Sequence, residues 1–281
     1  MPAIREFIPP VYRLYLNRLR GLGFNRLYES YAAAAADCPG DGYSTEDLVR
    51  VVQRKTVHLR DSLVSSDRLL ARHEDTRCLL AIMEARHENG SEGPVHVLDF
   101  GGACGAQYFV TKVHFPRVPF RWNVVETPDM VRMGKQIFEG EELRFHSSID
   151  AACLESPQFD LAVSSACLQY LPDPLAGLRS LMAARARRLV LSRNGLAPGD
   201  RSLFTIQRSM LSHNGVGKLP EGIRDMKIEY PASFVKKAEF EAVIRTKYDI
   251  RMEFDEGASF QLPNITVPLV GYFCGIQQTQ V

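Results

Sequence analysis

The stretch VLDFGGACGAQYF, residues 97–109, constrains the fold of this chain more than any other part of its sequence. An apolar run ends near Asp99, three glycines follow within five residues, and a second run rich in apolar residues begins after Gly105. A buried strand that turns through glycines into a helix is the opening unit of many parallel α/β sheets. Turns of this kind commonly bind a nucleotide or a nucleoside.

The sequence after Pro94 alternates between apolar strand-like segments and helical segments. Strands are predicted at VHVLDF, RWNVVET, LRFHSSI, FDLAVSSACLQYL and RRLVLSR, and after a long irregular segment at YDIRMEF and VPLVGYFCGIQ. Single helices between strands indicate a parallel, doubly wound sheet, whereas the last two strands have no helix between them and should pair antiparallel at one edge. We therefore expect an α/β, Rossmann-like, mostly parallel seven-stranded sheet with an antiparallel last strand.

The residues before this alternation have mainly helical patterns. Residues 10–36 have apolar side chains at helical spacing, with breaks at Gly21 and Gly23. Ser44 and Asp47 have the spacing of a capping box at the start of a helix. A further helix is predicted from about Asp67 to His87. We expect residues 1–93 to form a helical cap and 94–281 a catalytic domain, with 195–233 as a lid or substrate loop. The helices either cap the site, which we favour, or form a homodimer interface.

Composition excludes several classes of function. The formal net charge is +1, so no global field draws nucleic acid or an anionic membrane. No apolar run has the length of a signal peptide or of a membrane span, which predicts a cytoplasmic protein. The 6 cysteines include no C-x-x-C pair and the 7 histidines are dispersed, so neither a disulfide framework nor a metal site is expected.

Two phosphate-binding interpretations of the glycine turn fail. The dinucleotide fingerprint G-x-G-x-x-G, aligned from Gly101, needs glycines at 103 and 106, and both are alanine. The Walker pattern needs Lys-Ser or Lys-Thr after Gly105, and neither occurs. A carboxylate at Asp99 repels phosphate but suits an ammonium group or a cationic ligand. Glu126 ends the next strand, where an acid can accept hydrogen bonds from both ribose hydroxyls.

An acid before the glycine turn, together with an acid ending the next strand, resembles the S-adenosylmethionine (SAM) site of class I methyltransferases. Ala103 replaces the middle glycine of the usual family loop. The segments DFGGACG, WNVVE and SSACLQYLPDP also resemble a group of methyltransferases found in bacterial polysaccharide and natural-product gene clusters, and this resemblance covers roughly residues 40–276. The resemblance implies cofactor contacts from Asp99, Gly101, Gly102, Gly105, Glu126, Ser147, Ser148, Ser164 and Ser165. The glycines could instead serve the turn alone, and the serines could only cap helices.

The catalytic residues are less clear from the sequence. Candidates are Gln169 and Tyr170 after the fourth strand, and Ser192 and Asn194 at the end of the fifth, beside Arg193. Tyr170 could also be an ordinary core residue. The N/D-P-P-Y tetrapeptide of base methylation is absent, which favours a small-molecule substrate over nucleic acid.

Three functions stay open on this evidence. His213 is the one histidine considered as a base, and no strong general base is evident. Methyl transfer from SAM to a small acceptor comes first. Cyclisation of SAM to azetidine-2-carboxylate with release of methylthioadenosine, as in some proteins that resemble this group, is the second. A non-catalytic SAM-binding module is the third.

Overall fold

A computed structural model describes residues 21–39, 45–64, 73–88 and 93–277 of the chain. The strands, in chain order, are β1 (Gly23–Tyr28), β2 (Val95–Phe100), β3 (Phe120–Val125), β4 (Leu143–His146), β5 (Leu161–Ser165), β6 (Arg188–Gly195), β7 (Leu203–Met210), β8 (Lys227–Phe234), β9 (Tyr248–Leu262) and β10 (Ile265–Ile276). The helices are α1 (Tyr31–Ala36), α2 (Glu46–Val64), α3 (His73–Glu88), α4 (Ala106–His114), α5 (Pro128–Ile137), α6 (Ile149–Glu155), α7 (Pro174–Ala183) and α8 (Lys237–Ile244).

Seven strands form the main sheet, in the order β4-β3-β2-β5-β6-β10-β9. The first five are parallel, and β10 runs antiparallel to both of its neighbours. This architecture confirms the predicted doubly wound sheet with an antiparallel last strand. The strand order reverses between β2 and β5. In open α/β sheets ligands usually bind in the crevice at the carboxyl ends of the strands beside such a reversal.

Two hydrophobic cores cover the two faces of the main sheet. Successive residues of β2 alternate between them: Val97 belongs to the core beneath α2 and α3, and Leu98 to the core beneath α7 and α8. Each fully buried side chain of this kind stabilises the fold by about 1.5–3 kcal/mol. Because both faces of the sheet are covered, its strands are the nearly continuous apolar runs seen in the sequence.

A second, three-stranded antiparallel sheet differs from the sequence prediction. β1 pairs with β7 and β7 pairs with β8. The helical prediction for residues 10–36 was therefore wrong over Gly23–Tyr28, and the long irregular segment 195–233 contains two strands. Tertiary contacts override the local helical pattern in β1, because Phe24 packs edge-on against Phe234 and Phe260 with ring centroids 5.7 and 5.0 Å away.

The other N-terminal predictions have mixed outcomes. The alanine run is helical in α1, as expected, with Ser30 as its N-cap. Helix α3 starts at His73, and the first part of the predicted 67–87 helix falls outside the described residues, as does the Ser44 of the proposed capping box. Within the part of the chain that the structure describes, no helix combines the length and apolar character that a bilayer crossing requires.

Candidate functional site

The glycine turn between β2 and α4 is a tightly packed loop whose conformation excludes side chains at two positions. Gly101 has a left-handed φ of +76°, and a Cβ there would lie 2.4 Å from Sγ of Cys167. A Cβ on Gly102 would lie 2.4 Å from Cγ of Asp99. Ala103 stands where the methyltransferase loop that this turn resembles has its middle glycine. It also adopts a left-handed φ of +53°, at a cost of about 1–2 kcal/mol. The loop is therefore held in a strained, closely fitted shape.

Glu126 follows β3 and reaches across to this loop. One carboxylate oxygen accepts the backbone N–H of Ala103 at 3.0 Å, and the other accepts the N–H of Thr127 at 2.8 Å. These bonds fix both oxygens in place, and each retains a lone pair for a further donor. A vicinal diol is a ligand group whose two hydroxyls suit two such acceptors. The contact with Ala103 also explains how an alanine is tolerated at that left-handed position.

Asp99 lies beneath the loop, with only 5% of its surface exposed. Its Oδ2 accepts the indole N–H of Trp122 at 3.0 Å, and its carboxyl group packs against Gly102. Asp99 thus supports the loop from the sheet side, a contact that the sequence analysis did not foresee. The cofactor role predicted for it stays a prediction.

The carboxyl groups of Asp99 and Glu126 lie close enough to the glycine loop and to each other that each affects the electrostatics there. Burial, and next the nearby charge of Glu126, raise the pKa of Asp99 to about 7 although Trp122 opposes the shift. Burial also raises the pKa of Glu126, while its backbone donors lower it. A phosphate at this loop would meet two acids at close range, whereas neutral hydroxyls or a cationic group would not. These charges favour the sequence-based prediction that the ligand is a nucleoside without phosphate groups.

The four serines predicted as cofactor contacts have different surroundings. Ser147 is exposed, and Ser148 is the N-cap of α6, its hydroxyl accepting the N–H of Ala151 at 3.1 Å. Ser164 is buried, and Ser165 is exposed at the carboxyl end of β5. The capping alternative therefore holds for Ser148. Contacts with adenine stay a prediction for Ser147 and Ser148.

Tyr170 connects the main sheet to the second sheet. It ends a short 3-10 turn, Leu168–Tyr170, and its hydroxyl donates to Oε1 of Gln207 on β7 at 2.8 Å. Gln207 in turn donates to the hydroxyl of Tyr230 on β8 at 3.1 Å, and the rings of Tyr170 and Tyr230 meet edge-on with centroids 5.0 Å apart. These residues form a wall of hydroxyl and amide groups joined to the loop after β5.

The remaining catalytic candidates lie at the ends of β5 and β6. Gln169 is buried, its side-chain amide donates to the carbonyl of Arg193 at 3.3 Å, and its Oε1 has no hydrogen-bond partner. Ser192 is buried within β6, and buried Asn194 donates to the carbonyl of Val270 on β10 at 3.2 Å. The sheet thus brings Gln169 and Arg193 together, while the side chain of Asn194 is engaged by β10.

Two reactive side chains, Cys167 and His213, have different surroundings. Burial, with the charges of Glu126 and Asp99, raises the pKa of the Cys167 thiol above its ordinary value, so the thiol stays protonated at neutral pH. His213 is exposed in a turn after β7. Among the residues that the structure describes, no group of three or more His, Cys, Asp or Glu side chains could bind a metal ion.

Sequence reasoning missed several residues of this region. Trp122 could have been found, because its motif W-x-V-V-E places it four residues before Glu126. Gln207 and Tyr230 could have been assigned to strands, since LFTIQRSM contains a run of β-branched and aromatic residues and KIEYPASF has them at alternate positions. Glu256, on β9, accepts the N–H of Arg193 at 2.9 Å. It gave no local signal, because this contact depends on irregularities in β9 and β6 that only the folded sheet shows.

Comparisons with known proteins found no sequence match and several solved structures of low similarity. No protein-family model and no curated protein sequence matches the chain. The solved structures similar to it include an S-adenosylmethionine-dependent methyltransferase from Clostridium acetobutylicum, at 14% identity, a TM-score of 0.47, and coverage of 80% of this chain and 99% of that one. Magnesium protoporphyrin IX methyltransferase from Synechocystis has 12% identity, a TM-score of 0.39, and coverage of 85% and 100%.

A third similar structure is a glycopeptide N-methyltransferase complexed with SAM, at 13% identity and a TM-score of 0.39, covering 70% of this chain and 87% of that chain. At these identities and scores the similarities carry no functional inference. The topology of this chain is the mostly parallel, Rossmann-like sheet predicted from its sequence.

Proposed function

We propose that this chain is a SAM-utilising enzyme that transfers the methyl group of SAM to a small-molecule acceptor, as part of secondary metabolism. The observation that carries the proposal is the carboxylate of Glu126, fixed across the glycine loop by the N–H groups of Ala103 and Thr127. That geometry at the β2–β5 reversal suits a nucleoside whose ribose hydroxyls donate to Glu126 and whose remaining part bears no phosphate.

The residues of the crevice fit SAM in charge as well as in shape. Gly101 and Gly102 let the loop pack closely at the proposed site, because a side chain at either would collide with Cys167 or Asp99. The carboxylate of Glu126 at the loop, with Asp99 beneath it, favours a ligand with a sulfonium and an ammonium group. Bound SAM would supply a methyl carbon activated by the positive sulfur.

The chain's own contribution to methyl transfer would be positioning and exclusion of water. An attacking atom must approach in line with the breaking carbon–sulfur bond, and holding it there can supply several kcal/mol of the barrier. The wall formed by Tyr170, Gln207 and Tyr230 places hydroxyl and amide groups beside the loop after β5. Tyr31, in α1, donates to the carbonyl of Tyr170 at 3.3 Å, which supports the proposal that N-terminal residues cap the site.

A second candidate is the intramolecular cyclisation of SAM. The observation that favours it is the composition of the candidate catalytic residues Gln169, Tyr170, Ser192 and Asn194, which are hydroxyls and amides rather than bases. In that reaction the α-amine attacks the carbon of the amino-acid tail that is bonded to sulfur. The bond between this carbon and sulfur breaks, methylthioadenosine leaves, and the cyclised amine loses a proton to water. No acceptor molecule has to be deprotonated.

One experiment separates these functions. Purified protein is incubated with SAM alone, and then with SAM and a library of hydroxyl- and amine-bearing metabolites, and the products are identified by mass spectrometry. Methyl transfer predicts S-adenosylhomocysteine only when an acceptor is present. Methylthioadenosine with a four-membered amino acid, formed from SAM alone, would replace methyl transfer by cyclisation. SAM binding without turnover in either arm would indicate a non-catalytic module.

A further inference from the structure

Arg193 lies at the carboxyl edge of the main sheet, at the end of β6. Its Nε donates to the hydroxyl of Ser165, the last residue of β5, at 3.1 Å. β5 is the direct neighbour of β2, which leads into the glycine loop. The guanidinium group therefore lies on the same edge of the sheet as the proposed SAM site, beside the reversal of strand order.

The backbone of Arg193 is held in an unusual conformation. Its φ is +55°, which costs a non-glycine residue about 1–2 kcal/mol. The pairing of β6 with β10 is irregular at this point, between the partners of Val270 and Tyr272. Such bulges re-aim side chains and are frequent beside active sites.

Two buried side chains hold this conformation in place. Oε1 of Glu256, on β9, accepts the N–H of Arg193 at 2.9 Å, and the side-chain amide of Gln169 donates to its carbonyl. Gly271 leaves the space for Glu256, because a Cβ there would lie 2.6 Å from the same Oε1. Residues from β9, β10 and the loop after β5 thus jointly set the direction of the Arg193 side chain.

The charge of Arg193 is not neutralised by this support. The second oxygen of Glu256 forms an ion pair with Arg77 of α3, whose guanidinium lies 4.7 Å from the ring centroid of Phe254. Arg77 therefore balances the charge of Glu256. Within the described ranges, Arg193 forms no ion pair, and the hydrogen-bond partner of its side chain is the neutral hydroxyl of Ser165.

We propose that Arg193 binds the carboxylate of a bound ligand at this edge of the sheet. A guanidinium matches a carboxylate with two parallel hydrogen bonds, and the two terminal Nη groups of Arg193 can supply such a pair while Nε bonds Ser165. This proposal rests on the proposed function, because SAM or its acceptor supplies the ligand. The carboxylate comes either from the methionine tail of SAM or from the acceptor.

Calorimetric titration distinguishes the two sources. S-adenosylhomocysteine, which has the amino-acid tail, and methylthioadenosine, which lacks it, are titrated into wild type and Arg193→Gln. If the tail binds Arg193, the variant loses about 10- to 100-fold in affinity for S-adenosylhomocysteine and none for methylthioadenosine. Retained binding of methylthioadenosine also shows that the variant is folded. Arg245→Gln, which removes one charge from the exposed C-cap residue of α8, should change neither affinity.

The second arm tests an acceptor carboxylate. With S-adenosylhomocysteine saturating the protein, 4-hydroxybenzoate and its uncharged amide are compared as probes. An acceptor carboxylate on Arg193 predicts a preference of about 10-fold or more for the acid, abolished in Arg193→Gln but kept in Arg245→Gln. If the variant changes neither tail recognition nor this preference while both nucleosides bind wild type, the inference fails and the proposed function stands. If neither nucleoside binds wild type, both fail.

Discussion

Replacing Gly102 by alanine should destabilise the ligand-free protein through one identifiable contact. A Cβ at this position would lie 2.4 Å from both Cγ and Oδ2 of Asp99 and 2.7 Å from Oδ1, all far inside contact distance. Asp99 is buried and bonded to Trp122, so it has little room to move. Overpacking of this kind costs about 1–3 kcal/mol. In a chain of this size that is about 2–4 °C of melting temperature for each kcal/mol.

The clash can be separated from other effects of the substitution by a double-mutant cycle. The three atoms nearest to the added Cβ all belong to the Asp99 carboxyl group, and Asp99→Ala removes all three. In that background Gly102→Ala should be neutral or slightly stabilising, giving a coupling free energy of about 1–3 kcal/mol. Gly140→Ala is the matched control, because nothing lies within 4 Å of its Cβ.

The assay is thermal unfolding of the four proteins of the cycle and the control, followed by circular dichroism. A Gly102→Ala protein as stable as Gly140→Ala would show that the loop does not pack on Asp99. A penalty that persists when Asp99 is alanine would place the clash elsewhere. Either result would refute the described loop geometry on which the proposed site depends.

Three further perturbations have defined outcomes. The folded-state pKa of Asp99, about 7, lies above its ordinary value of 3.8, so wild type should lose stability relative to Asp99→Asn as pH rises from about 4 to about 7. Melting temperatures of both proteins at about pH 5 and about pH 8 check this. A difference in melting temperature that is the same at both pH values contradicts it. Tyr170→Phe leaves Oε1 of Gln207 without its 2.8 Å donor and should cost about 1 kcal/mol in thermal unfolding, with no cost meaning that the wall is not rigid. Lys55→Met removes two hydrogen bonds of 2.7 Å from Nζ to backbone carbonyls and should cost about 1–3 kcal/mol, whereas unchanged urea unfolding would contradict the anchoring of α2 to the turn after β7.

The main sheet was predictable from sequence because its strands are buried on both faces. Continuous apolar runs such as VHVLDF, separated by single helices, leave few alternatives to a parallel sheet. The absence of a helix between YDIRMEF and VPLVGYFCGIQ likewise predicted the antiparallel pairing of β9 and β10. These signals are local and strong, so tertiary contacts did not overrule them.

The second sheet could not be predicted with the same certainty. β1 lies in a stretch whose apolar residues also match helical spacing, and its strand conformation depends on pairing with β7, about 180 residues later in the chain. The strands β7 and β8 are partly exposed, so their apolar pattern is interrupted. Long-range pairing, rather than propensity, decides the structure of these segments.

The candidate site was predictable in part. The glycine spacing and the position of Glu126 indicated the loop and the acid that faces it, because both follow from strand ends in one sheet. The hydrogen bond from Trp122 to Asp99 and the one from the backbone of Arg193 to Glu256 could not be predicted from the sequence. Each depends on which side chains meet in three dimensions, and a buried acid such as Glu256 has no local sequence signature.

Calorimetric titration of SAM into the purified protein tests the central claim most directly. The proposal predicts a single site with a dissociation constant of about 1–100 μM. Glu126→Gln should lower the affinity for SAM by about 10-fold or more, because it keeps the shape of the side chain but removes the charged carboxylate that accepts hydrogen bonds from the ribose hydroxyls. Nicotinamide adenine dinucleotide and adenosine triphosphate should give no heat of binding at the same concentrations. Absence of SAM binding to wild type, or equal binding by Glu126→Gln, would contradict the assignment of this crevice to SAM.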